Sequence, residues 1–441
     1  MDYRLFKTHC LLLLAAYLFS SCSPYRQINK SARQDVLAVE AFATAHTGIS
    51  IYEPATGKYW YNYQGNKYFV PASNTKLFTC YAAMKYLGDS IIGMNYEETR
   101  DVLLINPTGD PTFLHPDFAS QPVYNFLRST SKTIALNTAA WQDERWGSGW
   151  SWNDYSEYYM AERSVMPMYG NVIRFSGPLN RFTASPGYFN NKIIVNGNEN
   201  ANAFPSSVER AIASNEFFIT AKNKSLSGIE TPFYTGADSI LINLLSDTLQ
   251  KSIYKSNKFY LEKDRSKKYI YSQPTDSLLK PMMHRSDNFF AEQSLLMVSN
   301  KLLGLMNDAK VIDTILKTDF KDLPQKPRWV DGSGLSRYNL FTPQDFVAIL
   351  TKMKNEFGMD RLKNILATGG EGTISNYYKA DGGYIFAKTG TLSGVVAFSG
   401  FLYTKKNKLL VFSVLVNNHQ SSSVGIRRAV EKFLEGVRNG Y

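Results

Sequence analysis

Apolar and polar positions recur with different periods along the chain, and the changes of period mark its organisation. Near the start, Arg4 and Lys7 precede an apolar run from Leu11 to Phe19, too short for an ordinary membrane span and reading as an export signal. After a polar stretch from Ser23 to about Arg33, Val36, Val39 and Ala43 recur at helical spacing, predicting a first helix that Gly48 ends. Ile49, Ile51, Tyr59 and Tyr61 flank the turn-forming segment Glu53-Pro54-Ala55-Thr56-Gly57, the pattern of a β-hairpin. The other end mirrors this one. Two apolar runs, Val395 to Tyr403 and Leu409 to Val416, are joined by polar Thr404 to Lys408 and read as core strands. Ile426, Ala429, Val430, Phe433, Leu434 and Val437 then fall on one face of an amphipathic helix.

An edge strand or amphipathic helix left alone cannot bury its apolar face, so the two ends fold together. The fold class that follows is α+β, an antiparallel sheet flanked by helices. Between about Ser90 and Thr275 the pattern shifts to short strand-like runs, such as Val102 to Ile105 and Lys192 to Val195, with many aromatics and closely spaced turns. The chain therefore divides into a signal segment at 1–22, a unit made of 23–89 plus 276–441, and a β-rich insertion of more than one lobe at 90–275. With 44% apolar and 20% charged residues in 441, collagen, coiled coil and wholesale disorder are excluded.

A net charge of +11 fits an anionic partner such as nucleic acid, a wall polymer or a membrane surface. Export removes nucleic acid from that set. Ser20 and Ser21 directly before Cys22 resemble the bacterial lipoprotein processing site, at which the cysteine is lipidated and anchors the chain to the bilayer. Phe19 replaces the usual aliphatic residue there, which leaves cleavage by ordinary signal peptidase as the alternative. Cys10 lies in the signal, so Cys80 alone remains in the body, at helical spacing beside Leu77 and Met84, and reads as a small core residue. The basic run Lys251, Lys255, Lys258, Lys263, Arg265, Lys267 and Lys268 reads first as a solvated face and second as a contact for anionic wall polymer.

Several common reactive constellations are missing from the sequence. There is no G-x-S-x-G elbow, and His9, His46, His115, His284 and His419 form no metal-binding spacing, so neither metal nor cofactor is expected. Ser73-Asn74-Thr75-Lys76 stands at the start of a helical run. Residues three apart share a helix face, so the Lys76 amine can reach the Ser73 hydroxyl and take its proton if burial lowers the lysine pKa. Taken alone the spacing is weak, because Ser129 to Lys132 and Ser252 to Lys255 share it. Order supplies specificity: Ser286-Asp287-Asn288 and then the unique Lys388-Thr389-Gly390 follow. Ser151-Trp152-Asn153 also fits S-x-N but lacks the helix opening Phe289-Phe290-Ala291-Glu292.

The ordered set S-x-x-K, S-D-N and K-T-G resembles that of the β-lactamase and penicillin-binding-protein fold. Ser73 and Ser286 lie 213 positions apart, which resembles the D-alanyl-D-alanine carboxypeptidase and endopeptidase family with a long insertion between its first two motifs. Asp331 to Arg337, Asn339, Thr342, Pro343 and Gly109-Asp110-Pro111-Thr112 are similar to stretches of that family too. The resemblance implies a serine DD-peptidase of the bacterial cell envelope, on the periplasmic side, acting on peptidoglycan stem peptides and inhibited covalently by β-lactams. It implies Ser73 as nucleophile, Lys76 as general base, Ser286 as proton carrier to the leaving nitrogen, and Asn288 as holder of the peptide amide and of Lys76. Lys388 and Thr389 would receive the substrate carboxylate, Gly390 would let the ligand approach the strand closely, and the N–H groups of Ser73 and Thr391 would form the oxyanion hole.

For neighbouring residues the plainer reading comes first. Asp287 and Glu292 cap or solvate their helix, Asp331 to Arg337 shape a turn, and Thr342 and Pro343 are N-cap and first residue of the next helix. Trp146, Trp150, Trp152 and Tyr155 read first as packing and second as a glycan platform. Two rivals to the peptidase remain: a β-lactamase, which the long insertion disfavours, and a catalytically silent wall-binding lipoprotein.

Overall fold

The computed structural model describes residues 24–178, 181–195, 206–220, 225–256, 268–380 and 383–441. Cys10, Cys22, Lys258, Lys263, Arg265 and Lys267 lie outside them. At the centre is a six-stranded sheet in the spatial order Ala367–Thr368, Ile385–Leu392, Val395–Tyr403, Leu409–Asn417, His46–Glu53 and Lys58–Tyr63. Every neighbouring pair is antiparallel. The expected hairpin and both late strands are present, and the first strand of the chain lies between its own hairpin partner and the last strand.

Both faces of this sheet are covered, which explains why its late strands read as continuous apolar runs rather than alternating ones. On one face the Ser423–Gly440 helix packs Ile426, Val430, Phe433 and Val437 with Ile28, Val36 and Phe42 against Ile49, Val396 and Phe412. The other face meets the helices Lys76–Tyr86, Asn288–Leu303 and Pro343–Phe357 through Phe78, Leu295, Ile349 and Leu350, against Ala397, Phe401 and Leu415. Thr342 caps the Pro343–Phe357 helix by accepting from the Asp345 N–H, with Pro343 as its first residue. Cys80 is fully buried in this layer.

The first helix corrects the expectation. It runs Pro24–Ser31, continues as a π turn over Ala32–Leu37 and is broken at Val39, whose backbone is extended. Gly48 is no helix stop but lies inside the strand His46–Glu53. A Cβ there would stand 2.6 Å from the Phe69 ring and 2.8 Å from Pro343, so the glycine is kept for close packing within the sheet.

Between Ser90 and Pro274 a five-stranded mixed sheet and two three-stranded sheets share one apolar core with the helix Asp238–Leu249. The described members of the basic run are engaged within the chain: Lys251 donates to the Leu127 and Arg128 carbonyls, Lys255 pairs with Asp238, and Lys268 pairs with Glu98.

Phe78 anchors the helix that begins at Lys76, with Phe320, Trp329, Phe341 and Phe346 around it at ring separations of 4.6 to 5.9 Å. Phe78→Ala is expected to cost about 3 to 5 kcal/mol of unfolding free energy, measured by urea denaturation. A loss below about 1 kcal/mol would show that the cluster is not the seat of that helix.

Candidate active site

Ser73 lies in a tight 3-10 turn, Ala72–Thr75, that leads straight into the Lys76–Tyr86 helix. Several contacts fix this turn. Asn74 donates its Nδ2 to Ser399 Oγ at 2.7 Å, and Ser399 donates to Ser413 Oγ at 2.8 Å, so two central strands hold it from below. Thr75 Oγ1 donates to the Ala72 carbonyl at 2.9 Å. Ala72 itself has φ +47°, a left-handed backbone that surroundings must impose on a residue with a Cβ. Gly334 and Gly390 press against the turn from two sides: a Cβ on the first would stand 1.9 Å from the Ala72 carbonyl, and one on the second 2.7 Å from that of Pro71.

Lys76 is completely buried, and its Nζ lies 3.0 Å from Ser73 Oγ, 2.6 Å from Asn288 Oδ1 and 2.7 Å from the Ser333 carbonyl. The last two atoms can only accept. A neutral amine therefore spends its two N–H groups on them and turns its lone pair to the serine hydroxyl. Burial lowers the amine to about pKa 8, against the opposing fields of Asp331, Glu292 and Asp287, so the neutral form is accessible near physiological pH.

Ser286 stands opposite, also held left-handed at φ +63°. Asp287 caps the next helix by accepting from the Phe290 N–H at 3.0 Å, as expected, and the cap presents Asn288 to Lys76. Lys388 Nζ donates to Ser286 Oγ and to the Thr389 carbonyl, each at 2.8 Å. Burial, with Lys76 and Arg427 nearby, holds the Lys388 amine well below the usual lysine range. Thr389 Oγ1 bonds Thr373 Oγ1 at 2.7 Å, and the exposed Thr391 hydroxyl receives Arg427. Beyond Ala387 the outer edge of the Lys388 strand has no strand partner among the described residues, because Ala367–Thr368 pairs only with Ala387 and Phe386. An extended substrate backbone can add there.

The three motifs thus converge through Ser73, Lys76, Ser286, Asn288, Lys388, Thr389, Gly390 and Thr391. The look-alikes do not join them: Lys132 pairs with Glu98, Lys255 with Asp238, and Ser151 bonds its own neighbour Asn153. Sequence reasoning missed Arg427 and Thr373, which no motif marks. It also misread Glu292, which is neither cap nor solvated. That carboxylate is 1% exposed, accepts from the Ser333 N–H at 2.7 Å, and is raised to about pKa 8 by burial and by Asp331. A carboxylate flanked by the apolar stretches Phe289 to Ala291 and Leu295 to Val298 was the one available signal, and it marks burial, not a site. Trp152 departs from packing as well, being 73% exposed, and the Trp150 indole donates to Asp331 Oδ2 at 3.0 Å.

An antiparallel sheet between helix layers, with a serine, a buried lysine and a second serine–lysine pair over one strand edge, defines a penicillin-binding-protein-type active-serine enzyme. The chain belongs to the D-Ala-D-Ala carboxypeptidase 3 (S13) family, whose model matches residues 30–437, and is a serine-type D-Ala-D-Ala carboxypeptidase. It is 25% identical to the D-alanyl-D-alanine carboxypeptidase of Actinomadura sp. (strain R39), over 88% of this chain and 81% of that protein. Its fold is similar to that of penicillin binding protein 4 from Haemophilus influenzae, with a TM-score of 0.71 at 20% identity over 94% of this chain and 98% of that one. The same Haemophilus protein in complex with a β-lactam gives a TM-score of 0.70 at 18% identity, over equal shares of the two chains.

Gly390→Ala is expected to push the Ser73 turn off the strand, lowering kcat/KM on a D-Ala-D-Ala peptide about a hundredfold. Steady-state kinetics check this, and an unchanged value would show that the close approach is not required.

Proposed function

We propose that Ser73 cleaves the D-Ala-D-Ala bond of peptidoglycan stem peptides through an acyl-enzyme, that β-lactams acylate the same oxygen, and that D-Ala cross-bridges are cleaved by the same route. The observation that carries this reading is the Lys76 amine, shared between Ser73 and two pure acceptors. Ser73 Oγ attacks the carbonyl carbon of the penultimate D-alanine while its proton passes to Lys76 Nζ. The oxyanion that forms lies at the start of a helix, with the Ser73 and Thr391 N–H groups as donors. As the C–N bond breaks, the proton moves from Lys76 through Ser286 Oγ to the departing amine. Water then attacks the ester, giving its proton back through Lys76, and the shortened peptide leaves with Ser73 restored.

Lys388 fits a different part from the one the resemblance implies. Its amine is turned to Ser286 and the Thr389 carbonyl, and burial works against its charge, so it supports the proton path through Ser286. Arg427, bonded to the Thr391 hydroxyl at the open end of the strand, supplies a fixed cation for the terminal carboxylate of the substrate. That pairing favours the carboxypeptidase reaction.

A fluorescent penicillin should label the wild-type chain stably on a denaturing gel and leave Ser73→Ala unlabelled. Rapid loss of label would identify a β-lactamase, and absence of label in both would identify a silent wall-binding protein. Because Lys76 takes a proton only when neutral, the acylation rate should rise with pH through about 8, the value to which its amine is lowered, and decline below it. A profile flat from about pH 6 to about pH 9 contradicts Lys76 as base.

We also propose that the chain is exported to the periplasmic side of the cell envelope and anchored through a lipid on Cys22. No described helix is long and apolar enough to cross a membrane. Cys22→Ala should move the protein from the membrane fraction to the soluble fraction of fractionated cells. If it stays with the membrane, another element is the anchor.

A further inference from the structure

Of the two atoms that accept hydrogen bonds from Lys76, the insertion holds one directly and the other through Asp331 and Glu292. Asn288 offers its Oδ1 to Lys76 only because its Nδ2 is committed to the Tyr159 carbonyl, at 2.9 Å. An amide flipped the other way would set a donor against the amine and turn the lysine lone pair away from Ser73. The Ser333 carbonyl belongs to a loop organised on Asp331. Asp331 Oδ1 accepts from the Gly334 N–H at 2.8 Å and Asn339 Nδ2 at 2.7 Å, and Oδ2 accepts from the Ser336 N–H at 2.6 Å and the Trp150 indole at 3.0 Å. The Ser333 N–H is held by Glu292 Oε1 at 2.7 Å, and Glu292 Oε2 faces Arg163 at 3.4 Å. Arg163, 1% exposed, also binds Asp308 at 2.6 Å and Asp143 at 2.9 Å, which fixes its guanidinium from both sides.

We propose that the insertion segment from Trp150 to Arg163 completes the catalytic apparatus, with Trp150, Tyr159 and Arg163 as positioning residues that aim the Lys76 amine at Ser73. This rests on the reading of Lys76 as base and adds to it a role for the insertion. Neither the Ser73 hydroxyl nor the Lys76 amine is hydrogen-bonded to this segment. It acts through Asn288, Asp331 and Glu292, so the acylation step should depend on it while the fit of the ligand should not.

The test resolves penicillin acylation of the full chain into the dissociation constant of the initial complex and the first-order acylation rate, by stopped flow. Trp150→Phe keeps the ring and removes only the donor to Asp331. Arg163→Lys keeps one charge and loses the fork, and Arg163→Gln loses the charge. Expected are acylation rates lowered about tenfold in Trp150→Phe and about a hundredfold in Arg163→Gln, with partial recovery in Arg163→Lys and dissociation constants within about twofold of wild type. Ser73-dependent labelling of the wild type scores the catalytic reading separately. The inference is scored on the ratios of variant to wild type, and if Arg163→Gln does not fold, Trp150→Phe and Arg163→Lys decide. Acylation rates within about twofold of wild type in folded variants, or a change confined to the dissociation constant, would overturn it.

Discussion

The structure depends on one buried ammonium group that must be able to lose its proton. Placing Lys76 in the interior costs solvation, and that cost is what lowers its pKa to about 8. Carbonyl oxygens of Asn288 and Ser333 keep the amine satisfied in either protonation state, without a carboxylate bound directly to it. Asp331, Glu292 and Asp287 act at a distance and pull the other way, so the amine stays titratable instead of permanently neutral. Much of the surrounding architecture maintains that balance: the turn strained at Ala72, the capped helix that delivers Asn288, and the glycines against which the serine turn is pressed.

Buried charge is distributed in the same spirit at the seam between the insertion and the helical layer. Arg163, itself 1% exposed, meets three carboxylates, those of Glu292, equally buried, and of the partly exposed Asp143 and Asp308. Such a cluster gives little net stability over apolar packing, yet removing one member leaves charges uncompensated, so it fixes geometry more than it adds stability. Gln293, the residue after Glu292, donates its Nε2 to the Gly109 and Ser164 carbonyls, so the Gly109 to Thr112 stretch docks on the same helix as Ser164.

What could be read from the sequence follows from the range of the interaction that encodes it. The hairpin around Glu53 to Gly57, the strands Val395–Tyr403 and Leu409–Asn417 and the last helix are written in local periodicity, and they appear as expected. The convergence of Ser73, Ser286 and Lys388 was legible because three short motifs keep a fixed order. Gly48 was misread because a glycine kept for packing between Phe69 and Pro343 resembles one that stops a helix. Glu292, Trp150, Arg163 and Arg427 were not legible as parts of the site. Each acts across more than thirty positions of sequence, and a single chain carries no periodic trace of such a contact.

The placement of His46–Glu53 between Lys58–Tyr63 and Leu409–Asn417 has a consequence for how the molecule comes into being. An early strand waits for one made far later, its Tyr52 pairing with Val411, and the strand carrying Lys388 is separated from that latecomer by Val395–Tyr403. Closing so large a loop is slow, and until it closes Asn74 has no Ser399–Ser413 pair on which to hold the turn that carries Ser73. The site therefore cannot be whole before the last strands exist, and its assembly is tied to completion of the sheet.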